Sequence, residues 1–294
     1  MDVQNSQDSC AHLENIICVD YGNRGIGQLW QKGSLKRSID AILIQDKNRP
    51  SYIETGFCCM FDRCETDGPL GSTILCATLR SLGFNVSLLS DSFSEQVVKA
   101  SSFGNPVKII NNSSDISDIA FIVSVERPGR SSSTGDFRTM KARDISHCTA
   151  PIDLLFPIQG EKPKPYLTIG IGDGGNEVGT GNISSEVTKY VPFGDQISTN
   201  ICCDILIMSG VSNWGAIALA AGLVIESRCE KSARTFIEWV NKQPEILSKM
   251  LEAGSFDGCS GKSEMSIDGM KFDKEHLQIS KSIVSIVNKA LNLC

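Results

Sequence analysis

The chain has 294 residues and a formal net charge of −6, from 28 basic and 34 acidic side chains. Hydrophobic residues make up 41% and charged ones 21%, an ordinary globular balance at a length that can bury a core without disulfide or metal staples. The acidic balance argues against nucleic acid as the main partner, and no apolar run approaches the roughly 20 residues needed to cross a membrane.

The start, "MDVQNSQDSC", is acidic and polar and resembles neither a secretory signal nor an Arg-rich transit peptide. A loosely ordered segment over 1–13 and a cytoplasmic location follow as expectations, with mitochondrial placement left open. From Gly25 to Ile44 apolar residues recur at helical spacing. "YIETGFCCM" reads as a buried strand, "ETDGPLG" as a turn, and "STILCATLRSLGF" as a helix closing at Gly83. "VSLLSD" is a strand, followed by a short helix near Ser94 to Ala100. "PVKII" and "IAFIVSVE" are strands. A long polar loop from Glu126 then leads towards a helix beginning near its end. "YLTIGI" and "DILIMSG" are strands, and "NWGAIALAAGLVIES" is an Ala-rich helix. Ser232 to Glu252 and Lys274 to Leu293 are amphipathic helices, with Asp257-Gly258 and Asp268-Gly269 as turn residues between them.

This alternation predicts an α/β fold, a mostly parallel sheet flanked by helices in a three-layer, Rossmann-like arrangement, forming a single domain over 1–294. Ligands of such sheets bind beyond the carboxyl ends of the strands. The unusual loops fall there, after Met60, Val125, Ile171 and Met208. The 12 cysteines contain no C-x-x-C and lie mostly in apolar runs, so reduced structural thiols are expected. His12, His147 and His276 share no ligand-like spacing.

The stretch "YLTIGIGDGGNEVGTGN" (Tyr166 to Asn182) contains G-x-G-x-x-G at Gly170, Gly172 and Gly175. A dinucleotide loop is one reading, with Asp195 downstream as the ribose acid. Asp173 inside the loop opposes it, because its charge would repel a pyrophosphate. The other reading is a polar cluster at a strand end: Asp173, Asn176 and Glu177 supply oxygens, and the Gly174-Gly175 backbone approaches a ligand. "ETDGPLG" adds Glu65 and Asp67. The stretch "ERPGR…DFRTMKARD" supplies Arg127, Arg130, Arg138, Lys141 and Arg143, and Arg forks bind carboxylates bidentately. "SGVSNWG" places Ser212 and Asn213 at a helix start, where anions bind. Each motif also has a plain reading, as a capped helix or a solvated loop.

Taken in order, "DYGNRGIGQL", "ETDGPLG", "ERPGR…ARDIS", "IGDGGNEVGTGN" and "SGVSNWG" resemble the D-glutamate cyclase family, from about Glu14 to the last helix, in its stand-alone form. The resemblance implies a carbon–oxygen lyase that converts D-glutamate to 5-oxo-D-proline and water without ATP. It transfers no catalytic residues. The residues themselves suggest Asp173, Glu177 or Asp67 as base, and Arg127 or Arg130 as a clamp for one substrate carboxylate. Gly174, Gly175, Asn176, Ser212 and Asn213 would line the rest of the substrate site. Asp67, Asp173 and Glu177 are candidate ligands for manganese or magnesium; no nucleotide cofactor is expected. The rival readings are a nucleotide-dependent oxidoreductase, a non-catalytic binder of an acidic metabolite, and a racemase or a different amino-acid hydrolase on the same scaffold.

Overall fold

Six short apolar runs become strands β1 (Ser51–Thr55), β2 (Val86–Ser90), β3 (Val107–Ile109), β4 (Phe121–Val125), β5 (Leu167–Gly172) and β6 (Ile205–Met208) in the computed structural model, which describes residues 3–22 and 24–293. The strands form one sheet in the order β3-β2-β1-β4-β5-β6, and every neighbouring pair is parallel. The chain therefore winds outwards in one direction from β1 and in the other from β4. The crevice between those two strands is where a doubly wound sheet presents its ligand site.

Successive side chains on a strand face opposite ways, and both faces are buried. Ile53, Val123, Ile169 and Ile207 join one apolar cluster, while Tyr52, Ile122, Leu206 and Met208 join the other. The first cluster is thick. It includes α1 (Val3–Ile17), α2 (Ser34–Leu43), α3 (Pro69–Ser81), α4 (Glu95–Ser101), α7 (Ser212–Ser227), α8 (Glu230–Asn241), α9 (Gln243–Glu252) and α10 (Leu277–Leu291). The second is covered by shorter pieces, among them α5 (Ser184–Tyr190), α6 (Gly194–Ile197) and 3-10 turns at Ile26–Gln28 and Ile152–Leu155.

Helix α7 is apolar all round because it is buried all round. Its small residues let neighbours approach closely. A Cβ at Gly71 of α3 would come within 2.8 Å of the Asn213 Cα, so only glycine fits where the starts of these two helices touch.

Several boundaries differ from the sequence expectation, each for a local reason. The described part of the 1–13 segment is helical: Cys10, Leu13 and Ile17 recur at a spacing of three and four residues and are buried. Met1 and Asp2 lie outside the described residues. The helical pattern from Gly25 to Ile44 resolves into a 3-10 turn and α2, separated at Gly33, whose φ is +80°. β1 stops at Thr55, because Gly56 takes φ +107° and the chain turns into a tight 58–64 excursion bridged between Cys58 and Cys64. The helix over Ser232 to Glu252 is two helices, since Pro244 suits only a first turn. The long loop after β4 ends in 3-10 turns rather than an α-helix. Asp268-Gly269 forms the expected two-residue turn, with positive φ at both positions, between β7 (Ser266–Ile267) and β8 (Met270–Lys271). No described helix is long and apolar enough to cross a membrane.

The helix contact gives a direct test. Gly71→Ala should destabilise the protein by about 1–3 kcal/mol, because the added methyl meets backbone that cannot move aside. Urea unfolding would read this as a lower midpoint at unchanged slope.

Candidate functional site

Four loops leave the carboxyl ends of adjacent strands β1, β4, β5 and β6, and each contributes to one polar centre. Asp67 ends the loop after β1, immediately before α3. Glu126 follows β4 directly, held in the left-handed region at φ +48°. Asp173 follows β5. Ser212 opens α7 after β6. Oxygens of Asp67, Glu126 and Asp173 all lie within 4.8 Å of one another, and all three side chains are buried.

Helix starts hold this negative charge in place. Asp67 accepts hydrogen bonds from the amides of Gly68 (2.9 Å), Ser212 (2.9 Å) and Asn213 (2.8 Å), so it caps α3 and α7 together. The Ser212 amide also reaches Asp173 at 3.3 Å, and the Ser212 hydroxyl donates to Glu126 at 2.6 Å. Asn213 braces the arrangement: its side-chain oxygen accepts from the amides of Gly68 and Gly71, and its amide group donates to the Thr66 carbonyl.

The cation of the centre is Arg24. Its two terminal nitrogens donate to both oxygens of Asp173, at 3.1 and 3.2 Å. One of them also donates to Asp268 at 3.1 Å and to the Gly210 carbonyl at 2.8 Å. The guanidinium is held by a turn in which Asp20 accepts from the amides of Arg24 and Gly25. Burial disfavours its charge, but Asp173 and Asp268 more than compensate, so its pKa rises.

Acids outnumber this one cation, and their proton affinities show it. Burial, then the charge of Asp268, pushes Asp67 up to about 7, against the pull of its amide donors. Burial, then Glu177, Asp67 and Glu65, holds Glu126 well above the usual carboxylate range. Burial raises Asp173, Arg24 opposes it, and Glu126, Asp268 and Asp67 raise it further, to a value well above normal. Glu65 is also held well up, by burial and then by Asp268 and Asp67. Oxygens of Asp67 and Asp173 lie within 4.8 Å of each other, and both accept from the Ser212 amide.

A pocket of about 160 Å³ opens above the cluster. Arg24, Glu65, Glu126, Asp173, Asn176 and Asp268 line its floor and sides. Lys141 and Arg143 reach it from the long loop after β4, and Cys59, Met60 and Cys259 complete the wall. The Asn176 side-chain oxygen and the Arg24 Nε are buried without a hydrogen-bond partner among the described residues. Both belong to side chains that line the pocket.

The structure redistributes the roles expected from sequence. Asp67, Asp173, Asn176 and Ser212 do come together. Glu177 lies just beneath, but its carboxylate is already engaged: it accepts from the amides of Gly174 (2.6 Å), Gly175 (2.7 Å) and, at 3.3 Å, Asp173. The Gly174-Gly175 amides therefore bind the chain's own carboxylate rather than a substrate oxygen, and Glu126 takes the third place in the acidic cluster. A Cβ at Gly174 would lie 2.8 Å from the Glu177 Oε1, which is why glycine stands there.

Arg127 and Arg130 do not line the pocket. Arg127 is buried, paired with Asp91 at 2.6 Å, and donates to the carbonyls of Gly56 and Ala150. Arg130 makes a two-pronged pair with Asp153 at 2.8 and 2.9 Å. Arg24 lies in "DYGNRGIGQL", a motif that carried the resemblance but had no chemistry attached. Glu126 opens the polar, arginine-rich loop. Its position at a strand's carboxyl end was the signal available for it. Asp268 had read as a turn residue, which it also is.

The D-glutamate cyclase-like, C-terminal family profile matches residues 13–284. The chain belongs to that family. It is 28% identical over 319 aligned positions to the human protein named D-glutamate cyclase, mitochondrial, covering 93% of this chain and 51% of that one. It thus spans about half the length of the curated relative it matches. Among solved structures, an exopolyphosphatase-related protein from Bacteroides fragilis aligns over 89% of this chain and 60% of its own, at 10% identity and a TM-score of 0.37.

In this family member the donor set of Asp67, Glu126 and Asp173 fits a hard divalent cation. Three buried carboxylates repel one another, and all three hold protons more tightly than usual.

Two outcomes follow. Asp67 is raised from its unfolded value to about 7, so the native state binds the extra proton between those two limits. The stability this proton confers is fully present below the unfolded pKa and is lost as pH rises through about 7. Unfolding midpoints measured without added metal should fall from about pH 5 to about pH 8, and Asp67→Asn should flatten the slope. Arg127→Ala leaves Asp91 buried without its partner and should cost about 3–5 kcal/mol in urea melts.

Proposed function

We propose that this chain catalyses the intramolecular dehydration of D-glutamate to 5-oxo-D-proline and water. The observation that carries this reading, beside the family membership, is the buried Asp67–Glu126–Asp173 cluster with Arg24 at its edge. The reaction joins the α-nitrogen to the γ-carboxyl carbon and breaks one carbon–oxygen bond. Two protons must leave the ammonium, and two must arrive on the departing oxygen. The net proton change is zero, so the enzyme has to relay protons rather than consume them.

A cluster of coupled carboxyl groups with raised pKa values suits that relay. An ionised member takes a proton from the ammonium, and a protonated neighbour gives one to the leaving oxygen. Asp67, poised near 7, can serve in either direction. The unpartnered Asn176 oxygen is an acceptor for the substrate ammonium. Arg24 Nε, Lys141 and Arg143 supply positive charge for the two substrate carboxylates. A divalent cation held by Asp67, Glu126 and Asp173 would supply further positive charge to the carboxylate under attack. Five-membered ring closure is intramolecular, and effective molarities of roughly 10⁵–10⁸ M for well-oriented groups make activation by ATP unnecessary.

Two features favour this chemistry over a nucleotide reaction. The amides of the glycine loop that would face a pyrophosphate are bonded to Glu177. The pocket floor is acidic and would repel phosphate. Thiol-based racemisation is no better served: burial is the chief cause raising the pKa of Cys59 and keeping it protonated.

NMR of the purified protein with D- or L-glutamate, with and without manganese, tests the reading. The expected result is 5-oxoproline from the D enantiomer. No conversion of either enantiomer under any of these conditions would overturn it. Asp173→Asn should keep the fold and lower turnover by about 10²–10⁴-fold.

A further inference from the structure

A second cluster of metal-binding side chains sits at the rim of the pocket and shares no residue with the first. The 58–64 excursion meets the 3-10 turn Ser146–Cys148 there. The Asp62 Oδ1 lies 2.8 Å from the His147 Nε2. The Cys148 Sγ completes a group whose donor atoms all lie within 4.8 Å of one another. Phe61 and Asp62 both take positive φ, which turns the tip of the excursion towards His147.

By itself an exposed Asp–His contact is a surface pair worth under about 1 kcal/mol. What distinguishes this one is the sulfur beneath it. Cys148 is buried and its Sγ is oriented by its bond to the Ile145 carbonyl. One nitrogen, one oxygen and one thiolate make a mixed, partly soft donor set. Zinc takes such sets in four-coordinate geometry, leaving one position for water. The carboxylate cluster in the pocket, all hard oxygen, selects a different kind of ion.

We propose that Asp62, His147 and Cys148 form a zinc-class site, distinct from the pocket's carboxylates, that fastens the 58–64 excursion to the 146–148 turn. Binding releases the Cys148 thiol proton, so it strengthens as pH rises. The site touches the pocket through Arg143, which lines the pocket and lies 3.5 Å from the Asp62 Oδ1. A cation on Asp62 takes that oxygen away from Arg143. The proposal does not depend on the reaction assigned above.

Cobalt(II) titrated into the full chain is the test, because thiolate ligation gives a sulfur-to-cobalt charge-transfer band that carboxylates cannot give. The expected result is one equivalent of band-forming cobalt, displaced by zinc, and bound more tightly at higher pH. His147→Ala and Cys148→Ser should lose the band; Asp173→Asn and Cys259→Ser should keep it. His147 is exposed, so its variant stays folded even if the buried Cys148 variant does not. Absence of the band in the wild-type chain, its survival in His147→Ala, or its loss in Cys259→Ser would overturn the proposal.

Discussion

Everything at the carboxyl edge of the sheet is arranged around one constraint: buried acids outnumber the guanidinium that faces them. Arg24 meets Asp173 and Asp268 directly, while Asp67, Glu126 and Glu65 crowd behind. Burial of this kind is tolerable only with strong local compensation. The starts of α3 and α7 provide it, because their unpaired amides point at Asp67 and Asp173. The close α3–α7 contact at Gly71 is therefore linked to the site as well as to the core. It brings two helix starts onto the same carboxylate.

The fold also uses its anion-binding geometry on itself. A glycine loop after a strand normally offers its amides to a ligand. Here Glu177 bends back and takes them, which turns a flexible loop into a rigid mount for Asp173 and Asn176. The arginines of "ERPGR" behave likewise. Arg127 and Arg130 bind Asp91 and Asp153, tying the loop after β4 to the end of β2 and to the 152–155 turn. Residues that look poised for a substrate when read along the chain serve to hold other residues still.

The strands and the helical layer were legible because their signals are local. Short runs of three to six residues between turn-rich loops specify a parallel sheet, and an Ala-rich apolar helix specifies a buried one. The convergence of Asp67, Asp173, Asn176 and Ser212 was legible too, since parallel topology sends every such loop to one edge. Partnership was not. Whether Arg127 faces solvent or Asp91 depends on residues 36 positions apart, and Arg24 meets Asp173 across 149. No periodicity encodes those distances. His147 illustrates the same limit: it has no ligand-like spacing to any histidine, yet the fold seats it against Asp62, 85 residues away.

The strand order matches that of dinucleotide-binding sheets, so it is instructive that the ligand chemistry differs. In those proteins the first strand leads into a short glycine turn whose helix start receives a pyrophosphate. Here β1 leads instead into a longer loop that ends in Glu65 and Asp67, and the helix start of α3 receives Asp67. A protein carboxylate thus occupies the place of the anion, and the site's polarity is inverted. In the proposed reaction, the substrate ammonium meets the acids and its carboxylates meet Arg24, Lys141 and Arg143. A zwitterionic dicarboxylate carries both, and the crevice between β1 and β4 is the point in this topology where both can be met at once.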